Sequence, residues 1–258
     1  MSNVRVSDNL KVYEGKSYLA IETSKKRERD LLWDESELLG MKIPMGKDNL
    51  GNTLYWDLDK HGTPHQLVGG ATGSGKTAYI YSILNYIVKA GLKDIYIFDP
   101  KYEFEEMRGL GIEVYNDISE IEVILQLLVE KMEEKKKTKD NSKIIIIFDE
   151  YAEAMAAAGK KSSIAINLMR LLQAGRSLGF RVVAATQRAS TKIIDGDTKV
   201  NFPIQVCFYV PKKVDSKVMI DNEGAETLAG EGDGLVKSPE YPDLVRFQSF
   251  YKPQEQTA

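Results

Sequence analysis

The stretch Gly70-Ala71-Thr72-Gly73-Ser74-Gly75-Lys76-Thr77 constrains this chain more than any other. It fits G-x-x-x-x-G-K-[ST] and stands between a short apolar run and a helical pattern, the context in which such a sequence forms a phosphate-binding loop. Glycines in it allow successive backbone N–H groups to point at an anion with no Cβ in the way. The helix that begins near Gly75 adds its unpaired N–H groups and the positive end of its dipole. The nucleotide-binding residues are therefore expected to be Gly70, Ala71, Thr72, Gly73, Ser74, Gly75, Lys76, Thr77 and Ala78. Lys76 would reach the β- and γ-phosphates, and the Thr77 hydroxyl would ligate Mg²⁺.

Strand and helix signals alternate from His65 onward, which predicts an α/β fold with a mostly parallel sheet flanked by helices. Gln66-Leu67-Val68 leads into the loop, and Ile80, Ile83, Leu84, Ile87 and Val88 follow at helical spacing. Asp94 to Asp99 reads as the next strand and Ile118 to Lys135 as a long helix with Ile121, Leu125, Leu128 and Met132 on its core face. Upstream, Ile43-Pro44-Met45 and Thr53-Leu54-Tyr55-Trp56 are paired strands around the turn residues Asp48 to Asn52. A small β-containing piece precedes them: a strand at Tyr18 to Ile21, a solvated charge run from Lys25 to Asp30, and a weak helix from Leu31 to Leu39. Glu130 to Asp140 reads as a solvated helix end, and His61 and His65 as loop residues around a Gly-Thr-Pro turn.

Two further strands end in polar residues. Ile144-Ile145-Ile146-Ile147-Phe148 is an unbroken apolar run, so it predicts a buried central strand whose carboxyl end carries Asp149 and Glu150. Asp149 suits a magnesium site, and Glu150 suits polarisation of the water that attacks the γ-phosphate. Arg181 to Arg188 predicts a neighbouring strand that places Gln187 beside Asp149 as a sensor of that phosphate. The helical segment before it carries Arg170 and Arg176; an arginine there is either the structural partner of a carboxylate or a finger into a neighbouring subunit's site.

Net charge is −3, with 35 Lys and Arg against 38 Asp and Glu, so any contact with nucleic acid must be local. One cysteine, Cys207, excludes a disulfide framework and suits a reducing cytoplasm. No apolar run is long enough to span a bilayer.

These residues carry a family resemblance. Ile43 to Asp48, the Gly70–Thr77 loop, Phe98-Asp99-Pro100-Lys101, Asp149-Glu150-Tyr151-Ala152-Glu153, Gly175-Arg176-Ser177-Leu178-Gly179 and Ala185-Thr186-Gln187-Arg188-Ala189-Ser190 occur in that order. Asn201-Phe202-Pro203, Val214-Asp215-Ser216-Lys217, Gly224-Ala225-Glu226 and Gly230-Glu231-Gly232-Asp233 complete the set. The chain resembles the motor domain of the FtsK/SpoIIIE DNA translocases, within the FtsK–HerA group of ring ATPases. The resemblance implies a RecA-like P-loop NTPase over residues 42–258, preceded at 1–41 by a remnant of the DNA-tracking domain.

It further implies catalytic roles for Lys76, Glu150, Arg176 and Gln187, with Arg176 acting in trans, and metal ligation by Thr77 and Asp149. Arg188, Lys199, Lys213 and Lys217 fall in segments that resemble those facing the central channel of the family's rings. Between Arg188 and Lys217 six basic residues stand against three acidic ones, a local excess suited to gripping a phosphate backbone without reading bases. ATP and Mg²⁺ are the expected cofactors, and double-stranded DNA and further copies of the chain, as a hexamer, the expected partners. The pattern leaves no room for the membrane-spanning region or a winged-helix module, so a reduced motor of a mobile element is expected, for conjugative transfer or viral genome packaging. A motor for protein export is the alternative. A small-molecule kinase would need an arginine-rich lid that the sequence lacks.

Overall fold

A computed structural model describes residues 10–14, 19–23, 31–159, 162–191 and 194–253. Strands β1 (Leu10–Glu14) and β2 (Leu19–Thr23) pair as an antiparallel hairpin. The expected strand near Leu19 is present; Tyr18 and the charge run Lys25 to Asp30 lie outside the described residues.

Strands β3 (Lys42–Asp48), β4 (Thr53–Asp57), β5 (Gln66–Gly69), β6 (Ile95–Phe98), β7 (Glu113–Tyr115), β8 (Ile144–Phe148), β9 (Phe180–Thr186), β10 (Ile204–Phe208), β11 (Asp233–Lys237) and β12 (Val245–Ser249) form one ten-stranded sheet. Its order is β4-β3-β12-β11-β10-β5-β9-β8-β6-β7. The helices are α1 (Lys76–Lys89), α2 (Ile118–Thr138), α3 (Tyr151–Ala158), α4 (Ser163–Ala174), α5 (Gly196–Val200) and α6 (Lys213–Ile220). From β10 to β7 every pairing is parallel. From β10 outward to β4 every pairing is antiparallel. Parallel neighbours need crossovers, while the antiparallel pairs β3–β4 and β11–β12 are joined by short connections.

The isoleucine run explains how the layers meet. Side chains alternate across a strand, so Ile145 and Ile147 join one core with Ile80, Ile83, Leu84 and Ile87 of α1, while Ile144, Ile146 and Phe148 join the other. The second core receives Ile121, Leu125, Leu128 and Met132, the α2 face read from the sequence. Each fully buried isoleucine of this kind contributes about 1.5–3 kcal/mol, so β8 is the axis of both cores.

Three expectations need correction. Residues 31–39 do not form an α-helix, only a 3-10 turn at Glu35–Glu37. Their backbone is drawn instead to the far end of the chain: the Trp33 N–H donates to the Tyr251 carbonyl and the Tyr251 N–H to that of Leu31, each at 2.8 Å. Trp33 then packs on Tyr86 with ring centroids 4.8 Å apart.

His65 is buried just before β5 rather than lying in an open loop. Its Nδ1 accepts from the Val182 N–H at 3.0 Å, and its Nε2 lies 3.0 Å from the Leu172 carbonyl, so the ring is neutral with the proton on Nε2. Burial pushes its pKa down to about 3.

Lys135 is buried where a solvated helix end was expected. Its Nζ donates to Asp140 Oδ2 at 2.7 Å and to the Ser142 carbonyl at 2.9 Å, tying the end of α2 to the start of β8.

Candidate active site

The phosphate loop joins β5 to α1 at the carboxyl edge of the parallel strands. Helix α1 begins after Gly75, whose φ of 103° is open to glycine, and no side chain caps its first turn. A Cβ at Gly75 would overlap the backbone of Gly232, and the Gly232 N–H donates to the Ser74 carbonyl at 3.0 Å. The Ser249 N–H in turn donates to the Gly232 carbonyl at 2.8 Å. The turn before β11 therefore buttresses the loop from outside.

Side chains converge on this loop from β8 and β9. Lys76 Nζ lies 2.6 Å from Asp149 Oδ1, and both side chains are buried. Ser74 Oγ and Asp149 Oδ2 are buried without a hydrogen-bond partner among the described residues. Unpartnered polar groups, an uncapped helix start and a lysine in one glycine-walled cradle fit the phosphates of a nucleotide with a divalent cation beside them. Thr77 and Asp149 are the residues that would hold Mg²⁺.

Glu150 heads α3 with φ 51°, ψ 38°, the left-handed region that costs a non-glycine residue about 1–3 kcal/mol and clusters at functional sites. Its side chain is 3 % exposed, and its Oε1 pairs with Lys101 Nζ at 3.2 Å. Burial works against the charge on Lys101, but Glu150 and Glu153 outweigh it and raise the pKa. Gln187 bridges the parts: its side-chain oxygen accepts from the Thr72 hydroxyl at 3.0 Å, and its N–H donates to Glu150 Oε2 at 3.4 Å. A cleft of about 680 Å³ opens beside them, lined by Thr72, Lys101, Glu150, Gln187, Arg188 and Lys212 among others.

The other expected residues lie elsewhere. Arg176 is exposed on the turn Gly175–Leu178, before the first residue of β9, whereas Gln187 follows the last. Buried Arg181 holds that turn, its guanidinium donating to the carbonyls of Arg176, Phe180 and Leu58 at 2.8–2.9 Å. Arg188 lines the cleft. Lys199 pairs with Asp221 at 2.6 Å, and Lys213 and Lys217 share Glu223 at 2.9 Å. The basic excess counted to Lys217 is offset by Asp221, Glu223 and Glu226 immediately after it.

Sequence reasoning gave no role to Glu103, although it accepts a hydrogen bond from Thr77 at 2.8 Å, nor to Gly232. Both stand in or beside motifs that carried the resemblance, Phe98–Lys101 and Gly230–Asp233.

A glycine-walled loop at the edge of a parallel sheet, with an acidic pair on the next strand but one, defines a RecA-like P-loop ATPase architecture. Residues 27–138 match the model of the FtsK/SpoIIIE family, and the chain belongs to that family. It is 34% identical over 248 residues to the DNA translocase FtsK of Leptospira interrogans, covering 84% of this chain and 26% of that protein. The chain thus spans about a quarter of that relative's length. Among solved structures, the pCW3 conjugation coupling protein TcpA, in a monomer form with ATPgS, matches with a TM-score of 0.75 and 26% identity over 94% of this chain and 78% of that one. EssC (ATPases 2 and 3) from Geobacillus thermodenitrificans matches with a TM-score of 0.74 at 17% identity over 91% and 49%, a likeness of fold. No helix among the described residues is long and apolar enough to cross a membrane.

Proposed function

We propose that this chain is an ATP-driven motor that moves double-stranded DNA, working as a ring with each catalytic site shared between neighbouring subunits. The observation that carries the reading is the division of site residues between two edges of one sheet. Lys76, Asp149, Glu150 and Gln187 gather at the carboxyl edge, while Arg176 stands at the amino end of β9. With about 3.3 Å per residue along a strand, the seven residues of β9 separate the two ends by roughly 20 Å. Arg176 therefore serves another subunit's nucleotide, as an arginine finger does.

In the proposed cycle the loop N–H groups and Lys76 bind the phosphates of ATP, which take the place of Asp149 as the lysine's partner. Thr77 and Asp149 would hold Mg²⁺, which would supply neutralisation of phosphate charge when bound. Glu150 orients and polarises the attacking water at the cleft, and Gln187 reports the γ-phosphate to the phosphate loop and to Glu150. Arg176 from the adjacent subunit stabilises the developing charge. Arg188, Lys199, Lys213 and Lys217 face the duplex, whose phosphates compete with Asp221 and Glu223 for the lysines. Residues 42–258 form the motor and 1–41 a remnant of the DNA-tracking domain, within a hexamer working in the cytoplasm.

Conjugative transfer is the pathway we favour, because the pCW3 conjugation coupling protein TcpA matches at 26% identity over 94% of this chain. The test is ATPase activity with and without double-stranded DNA at low salt. Stimulation by DNA is expected; no stimulation by DNA, with stimulation by a secreted protein substrate instead, would replace this reading with protein export.

A further inference from the structure

The segment Asp99-Pro100-Lys101-Tyr102-Glu103-Phe104 leaves the carboxyl end of β6 and touches both halves of the hydrolytic machinery. Glu103 Oε2 accepts a hydrogen bond from the Thr77 hydroxyl at 2.8 Å. Lys101 Nζ lies 3.2 Å from Glu150 Oε1 and 3.6 Å from Glu153 Oε2.

The segment is braced at its two ends. Asp99 Oδ2 accepts from the Phe104 N–H at 2.8 Å and its Oδ1 from the Lys101 N–H at 3.3 Å, closing the loop on itself. Asn116 donates to the Asp99 carbonyl at 2.8 Å, and the Tyr81 hydroxyl of α1 donates to the Glu103 carbonyl at 2.7 Å. Asp99 and Phe104 are fully buried, and Tyr102 between them has φ 60°, a region that L-residues seldom adopt. Glu103 and Lys101 are thus presented by a shaped loop, not by a free surface chain.

A threonine hydroxyl has one proton and two lone pairs. When the proton is directed to Glu103, the lone pairs are left to face a cation. Lys101 acts on the other side, holding one oxygen of Glu150 while the Gln187 N–H takes the other.

We propose that the Asp99–Phe104 segment is a positioning clip for both reacting groups: Glu103 orients the Thr77 hydroxyl toward the divalent cation, and Lys101 sets the Glu150 carboxylate at the cleft. The inference rests on the nucleotide site described above. Neither residue touches the nucleotide; each acts through its partner. Glu103 serves as an acceptor, so glutamine, which keeps an oxygen in the same place, can replace it.

The test is titration of Mg²⁺ into full-length protein with a fluorescent adenosine nucleotide, together with Mn²⁺ binding followed by electron paramagnetic resonance and steady-state turnover. Loss of an outer-shell partner typically lowers metal affinity about 10- to 100-fold, so Glu103→Ala should raise the Mg²⁺ requirement by that order. Glu103→Gln should recover most of the loss. Lys101→Met should keep the wild-type Mg²⁺ requirement and KM for ATP while lowering kcat. If Glu103→Ala does not fold, Glu103→Asp, which withdraws the acceptor by one methylene, should shift the requirement in the same direction. A wild-type Mg²⁺ requirement in the folded Glu103 variants overturns the clip, as does a Lys101→Met variant with unchanged kcat. Wild-type protein that binds no Mg²⁺–nucleotide at all would overturn the site reading itself, a result distinct from either.

Discussion

Lys76 Nζ and Asp149 Oδ1 lie 2.6 Å apart with no more than 3 % of either side chain exposed, so each buried charge has the other as its partner. Removing one member of a buried pair leaves the other charge uncompensated, at a cost of about 3–5 kcal/mol. Asp149→Ala should therefore lower stability by that amount in urea unfolding without nucleotide. Saturating nucleotide offers Lys76 phosphate oxygens and should restore part of the loss; equal stability of variant and wild type would show that the pair is not structural.

Glu150 combines burial, a left-handed backbone and contacts from both Lys101 and the Gln187 N–H. Glu150→Gln keeps the shape and removes the proposed base, so nucleotide binding should persist while turnover falls about 100-fold or more. Isothermal titration with a slowly hydrolysed analogue, alongside a phosphate-release assay, separates the two effects. Unchanged turnover would remove Glu150 from the mechanism.

Arg176 stands about the length of β9 away from the phosphate loop of its own chain, which is the basis of its proposed role in a neighbouring site. On the proposed shared site, Arg176→Ala and Lys76→Ala should each abolish hydrolysis alone, yet mixing them should restore activity, because mixed assemblies would contain interfaces with an intact loop on one side and an intact arginine on the other. Specific activity should also rise with protein concentration. Mixtures as inactive as their components, or activity independent of concentration, would return the whole site to a single subunit.

His65 is neutral in the folded chain, its pKa pushed down to about 3 chiefly by burial, with Arg181 and Arg176 adding to the shift. The unfolded chain, with an ordinary histidine pKa near 6.5, binds the extra proton between those limits, so folding stability declines as pH falls from about 6.5 toward 3. The slope approaches about 1.4 kcal/mol per pH unit below pH 6. His65→Gln, whose amide can also donate to Leu172 and accept from Val182, should show a shallower loss between pH 7 and 5 in urea midpoints. Parallel profiles for the two proteins would mean that other groups set the acid sensitivity.

The parallel half of the sheet was legible because its signals are local. The unbroken apolar run Ile144–Phe148 reads as a doubly buried strand, and the glycine pattern before Lys76 reads as a phosphate-binding loop. What stayed hidden depends on partners far away in the chain. Residues 31–39 have a helical pattern, but the Trp33 N–H and the Leu31 carbonyl are taken by Tyr251, which no local rule reveals. His65 sits beside a turn, and only the packing of β9 and α4 around it makes it a core residue. Glu103 looked like one acid among several until the loop after β6 set it on Thr77. The lysines beyond Arg188 showed a local excess because the count stopped short of Asp221 and Glu223, which helix α6 and the turn after it bring back to them.

The hydrogen bond from Gly232 to Ser74 gives the phosphate loop a mechanical boundary condition as well as a shape. Through the Gly232–Ser249 contact and the β12–β3–β4 ladder, the loop is stiffly coupled to the far antiparallel rim. With strands about 4.8 Å apart, the three spacings from β11 to β4 make that path roughly 14 Å wide. A displacement of the loop thus has a short, hydrogen-bonded route to the antiparallel edge of the sheet.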